Sequence, residues 1–153
     1  MALLKETIGV GFLSLMLLGY GSTPAIAEDA QKLLLHGDVA LWTVAIKPDK
    51  TAQFELVLSK LRTALQTSDK PERQRQGKSW KVLRLSTPLP GGNVAYVHMI
   101  EPPVPDVDYS VTQILYEAFP DEARTLYDQY REAFAANLAL ATGDIVINLS
   151  EAP

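Results

Sequence analysis

The run from Val39 to Ile46 is apolar except for Thr43, and it constrains the fold more than any other stretch of the chain. As a strand it places Ala40, Trp42, Val44 and Ile46 on one side and Leu41, Thr43 and Ala45 on the other, so both sides demand cover. A lone hairpin cannot supply that cover. A central strand of a sheet packed on both faces has it.

The flanking segments read as elements that would complete such a sheet. Pro48 and Asp49 mark a turn into a helix over 50–66, where Asp49 can cap free amides and Phe54, Val57, Leu58, Leu61 and Leu65 recur at helical spacing. From Thr67 to Ser79 the chain is polar and interrupted by Pro71 and Gly77, which predicts an exposed loop. Lys70, Arg73, Arg75 and Lys78 charge this loop positively, with Asp69 and Glu72 in partial offset. Trp80 to Ser86 alternates as a strand, Pro88 to Gly92 reverses the chain, and Val94 to Ile100 returns as the second strand of a hairpin. Pro102, Pro103 and Pro105 stiffen a crossing segment. Ser110 and Gln113 then have capping-box spacing ahead of a short helix through Val111, Ile114, Leu115 and Ala118. Pro120 opens a second helix, with Leu126, Tyr127, Tyr130 and Phe134 on its apolar side. Gly143 marks its stop or the following turn, and Ile145, Ile147 and Leu149 alternate as a closing strand. The order is β-α-β-β-α-β, an α+β ferredoxin-like arrangement.

Residues 1–27 belong to a different grammar. Lys5 precedes an apolar run from Ile8 to Tyr20, and Ala25-Ile26-Ala27 gives the small-x-small pattern at which a signal peptidase cuts. The run is too short to span a bilayer, which takes roughly 20 apolar residues. The expectation is a signal peptide over 1–27, one domain over 28–153, and export to the periplasm or the extracellular space without membrane insertion after cleavage. The 153 residues contain no cysteine, which excludes a disulfide scaffold, a thiol nucleophile and a lipid-bearing cysteine. The net charge of −4 is unchanged by loss of Lys5 and Glu6, and a mildly acidic domain is not expected to bind nucleic acid.

Across 39–149 the chain resembles the dimeric alpha-beta barrel superfamily, in particular its antibiotic-biosynthesis-monooxygenase-like and EthD-like members. The residues carrying the resemblance are Leu41-Trp42-Thr43-Val44 ahead of Phe54, Leu58 and Leu61, the hairpin Trp80-Lys81-Val82-Leu83 with Tyr96-Val97-His98-Met99, and Gly143-Asp144-Ile145-Val146. The resemblance implies a ferredoxin-like domain that pairs sheet to sheet with a second copy, and a ligand cavity between sheet and helices. It carries no catalytic position across. An apolar sheet face left over by helices on the other side independently predicts a homodimer.

The chemistry-bearing candidates are few. His98 shares a strand face with Tyr96, where imidazole could move a proton, or ligate haem, while the phenol orients a ring; a histidine satisfied by a local hydrogen bond is the plainer reading. Trp42 and Trp80 could bracket a flat aromatic ligand, with Tyr96 and with Tyr109, Tyr116, Tyr127 or Tyr130 as further wall, though all fall where core periodicity also places them. His36, before Gly37 and Asp38, reads as part of a turn. Asp106 and Asp108 read as loop carboxylates, and Gly91-Gly92 as a tight reversal. His36 and His98 have no metal-ligand spacing, and no residue pattern assigns a metal or cofactor. Two functions follow: an exported dimeric ligand-binding or structural domain, or a monooxygenase-like enzyme on an aromatic, quinol-like or haem-related substrate with His98 as proton shuttle.

Overall fold

The structure, a computed structural model, describes residues 32–150. The signal-peptide reading of 1–27 lies outside the described residues. Strand β1 (Val39–Ile46) is central, as its apolar run predicts: it pairs antiparallel with β3 (Val94–Ile100) at one edge and with β4 (Phe134–Gly143) at the other, although Leu41, on the face opposite Trp42 and Val44, stays exposed. Strand β2 (Trp80–Arg84) joins the free edge of β3, giving the order β2-β3-β1-β4. Four helices accompany the sheet: α1 (Thr51–Thr67), α2 (Pro71–Ser79), α3 (Val111–Ala118) and α4 (Ala123–Ala133). The domain is α+β, with a four-stranded antiparallel sheet, and is consistent with a ferredoxin-like fold in general.

The main core forms where Phe54, Val57, Leu61 and Leu65 of α1 meet Val44, Ile46 and Tyr96 of the sheet, and α3 and α4 close it with Ile114, Leu115, Leu126 and Tyr130. Burial of such side chains contributes about 1.5–3 kcal/mol each. A smaller cluster joins Leu35 to Ala40, Ile100 and Tyr109, so the segment before β1 is already part of the packed domain. The capping expectations are not met. Asp49 falls within a 3-10 turn, Pro48–Lys50, and makes no side-chain cap, while Ser110 directs its N–H and its hydroxyl to Asp108 Oδ1 at 2.9 and 2.7 Å. Asp108 therefore organises this turn instead of standing free in solvent, and its Oδ1 also accepts the Leu33 N–H at 2.9 Å.

Two further expectations are corrected. The polar stretch read as a loop over 67–79 contains helix α2, and its Arg73 and Gln76 are buried. One guanidinium nitrogen of Arg73 donates to Gln76 Oε1 at 2.9 Å and to the Asp108 carbonyl, and the other donates to Glu117 Oε1 at 3.0 Å. The Gln76 amide donates to the same Asp108 carbonyl at 3.0 Å. Polarity here marks a hydrogen-bonded interior contact, which a scale of hydrophobicity cannot distinguish from a solvated loop. Burial opposes ionisation of Glu117, but bonds from Lys70 and Arg73 outweigh it and hold the carboxyl below its ordinary range.

The closing strand is Phe134–Gly143 rather than 145–149. Alanine and leucine favour helix locally, yet this stretch supplies hydrogen bonds to the otherwise naked edge of β1, from Ile46↔Phe134 to Val39↔Gly143 with two register shifts between. Segment 145–149 follows a clamp: Asp38 N–H donates to the Gly143 carbonyl at 2.9 Å, and Ile145 N–H donates to Asp38 Oδ2 at 2.9 Å. Gly37 has φ +80, and a Cβ there would stand 2.7 Å from the Gly143 oxygen, so a side chain is excluded at this crossing.

Replacing Arg73 by alanine should lower stability by roughly 2–4 kcal/mol, because it leaves the buried Gln76 Oε1 without its donor and takes from the Asp108 carbonyl and the partly buried Glu117 carboxylate one of the two donors each has. Urea unfolding of Arg73→Ala beside an exposed control, Arg75→Ala, checks this; equal midpoints would refute the role of the buried guanidinium.

Candidate functional site

The antiparallel register sets the aromatic candidates side by side. Trp42 lies opposite His98, and His98 opposite Val82, in one row across β1, β3 and β2. The Trp42 and His98 rings stack with centroids 4.7 Å apart and an interplanar angle of 27°. Trp80, two residues before Val82 on the same strand face, donates its indole N–H to His98 Nδ1 at 3.1 Å and packs against Tyr109 at 5.4 Å between centroids. The structure thus brings Trp42, Trp80, His98 and Tyr109 into one cluster. Tyr96 is also buried on β3, edge-on to Phe54, but its hydroxyl turns outward and donates to Glu55 Oε1 at 2.6 Å. Burial and that bond push the Tyr96 phenol up to about 12. The Tyr109 hydroxyl accepts the Val104 N–H at 2.8 Å, and Tyr116 and Tyr127 are exposed on other helices.

His98 is fully buried, and burial pushes its pKa from 6.5 down to about 4. Its Nδ1 accepts from Trp80, which assigns the proton of the neutral ring to Nε2. Nε2 has no hydrogen-bond partner. An unsatisfied buried N–H costs about 1–3 kcal/mol. Its aromatic neighbours are the Trp42, Trp80 and Phe54 rings, and none of these can relay a proton between His98 and solvent.

A cleft of about 380 Å³, lined in part by Trp80, opens between α1, α2 and β2. Leu58, Leu61 and Leu65 of α1 with Trp80 and Val82 of β2 give it an apolar floor. Ser59, Arg62 and Gln66 stand along its rim, and Glu55 lies at one end. Gly77 of α2 completes the wall; a Cβ there would come within 3.1 Å of Leu65 Cβ, so the bare backbone lets the two helices approach. Of the residues picked from sequence, only Trp80 reaches this cleft. The rim residues are not among the sequence candidates, although Glu55, Ser59, Arg62 and Gln66 recur at intervals of three or four along α1 and mark the flank of its apolar stripe.

Among the described residues, no group of three or more histidine, aspartate or glutamate side chains is placed to hold a metal ion. Nor is any helix among them long and apolar enough to cross a membrane. Comparison with protein families, with curated proteins and with solved structures finds nothing that matches this chain.

The depressed His98 pKa has a consequence with a definite sign. Between about 4 and 6.5 the unfolded chain binds the proton that the folded one refuses, so His98 takes nothing from stability above about 6.5 and costs about 3 kcal/mol by pH 4. Comparing urea unfolding at pH 7 and pH 4.5, the wild type should lose about 2 kcal/mol more than His98→Phe. Equal losses would show that the buried ring does not sense pH.

Proposed function

We propose that this chain is an exported small-molecule-binding domain that works as a homodimer, arranged as a dimeric alpha-beta barrel. The cleft floored by Trp80 carries the reading. Its volume lies within the range of small-ligand sites, and an apolar floor with a few polar groups at the rim is their usual composition. Trp80 is held in place by its bond to His98, so the aromatic surface of the cleft is set before any ligand arrives.

The sheet face turned away from the helices supports the dimer. Leu41 of β1 and Leu83 of β2 are 41% and 47% exposed there, in rows with Met99, Val97, Ala139 and Ala141 that bear only Lys81 as a charge. Contiguous apolar surface of this kind is what a second copy buries. His98, by contrast, is sealed from solvent and supports packing and positioning of Trp80 over transfer of a proton to a substrate.

In the leaderless protein carrying Trp42→Phe, Trp80 is the sole tryptophan, and its emission should shift on titration with flat apolar probes such as naphthalene derivatives. No change across such a panel would refute a ligand site at Trp80. Sedimentation should give about twice the mass of one chain, and Leu41→Glu should halve it; a wild-type monomer at all working concentrations would reject the dimer.

A further inference from the structure

We infer that the ligand of the Trp80 cleft is a small aromatic or aliphatic acid whose anionic group is bound by Arg62. This rests on the cleft reading above and adds the charge of the ligand to it. Two ionic side chains border the cleft, Glu55 and Arg62, and they differ in what they already hold. Glu55 is committed: its Oε1 accepts from the Tyr96 hydroxyl at 2.6 Å and from Arg84 at 3.2 Å. Arg62 has no carboxylate within ion-pair distance among the described residues, and its one hydrogen bond is a long 3.4 Å contact to Ser59 Oγ in its own helix. The unspent charge on the rim is therefore positive.

The donors beside it point to the same chemistry. A guanidinium offers paired N–H groups that match the two oxygens of a carboxylate, and such charge-assisted pairs are roughly twice as strong as neutral bonds. Ser59 lies three residues before Arg62 and Gln66 four residues after it, on the same flank of α1, so a hydroxyl and an amide are available to the remaining acceptor lone pairs. Below this polar edge the surface is wholly apolar, through Leu58, Leu61, Leu65, Val82 and the Trp80 ring. An amphipathic acid satisfies both halves. A cation would meet Arg62 repulsively and find Glu55 already paired with Arg84, and a neutral apolar molecule would leave the guanidinium with no new partner.

The test uses the leaderless full domain with 2-naphthoate and the uncharged 2-naphthalenemethanol, titrated by calorimetry at pH 7 and followed by Trp80 emission in the Trp42→Phe background. Naphthoate should bind at least tenfold more tightly than the alcohol. Arg62→Gln should remove that preference while leaving the affinity for the alcohol within twofold, and Arg62→Lys should restore part of it. Arg62 is exposed, so these variants keep the core intact, and an unchanged urea midpoint verifies it. Equal binding of the two probes, or a preference that survives Arg62→Gln, overturns the acidic ligand while the cleft stands. Failure of both probes to bind removes the cleft reading and this inference together.

Discussion

Hydrogen bonding of β1 along both its edges is the constraint from which the remaining arrangement follows. An apolar strand cannot leave its N–H and C=O groups in a core without partners, and β3 and β4 supply them from opposite sides. The register of those ladders then decides the chemistry of each face. It sets Trp42 against His98 and His98 against Val82; a slip of one residue would turn Trp42 to the open side and leave His98 without its stacking partner.

Trp80 links the core so formed to the surface. One edge of its indole is tied inward to His98, and the ring forms part of the cleft floor. Helix α2 runs directly into the strand that carries it, and α2 is held by Arg73 and Gln76 through the Asp108 carbonyl and Glu117. A polar interior cluster therefore positions an apolar binding wall. The orphaned Nε2 of His98 fits this picture: a neutral ring that accepts one bond well and forgoes another orients Trp80 at a modest energetic loss.

Much of this is legible in the sequence. The two-sided run at Val39–Ile46, the stripe of α1 and the hairpin through Pro88–Gly92 are short-range patterns, and periodicity reports them directly. The failures have a common cause. Helix α2 is polar because it binds an interior carbonyl, and β4 is alanine-rich because its hydrogen bonds, not its side chains, are what the sheet needs from it; in each case a distant partner decides the conformation. At the site, strand alternation puts His98 and Tyr96 on one face and offers Trp42 and Trp80 as a bracket, but the meeting of Trp42, Trp80, His98 and Tyr109 depends on register between strands, and the rim of Ser59, Arg62 and Gln66 on which flank of α1 meets β2; one sequence does not carry that information.

The place of β4 in the chain also bears on how the domain comes into being. The strand that completes β1 is the last element of the fold, so a chain emerging N-terminus first presents the apolar β1 long before its second neighbour exists. Until then β1 can be paired on one side only, and no partial product is a finished sheet. Completion of the sheet therefore waits for the C-terminal strand, so the pairing that closes β1 is a contact between the two ends of the domain.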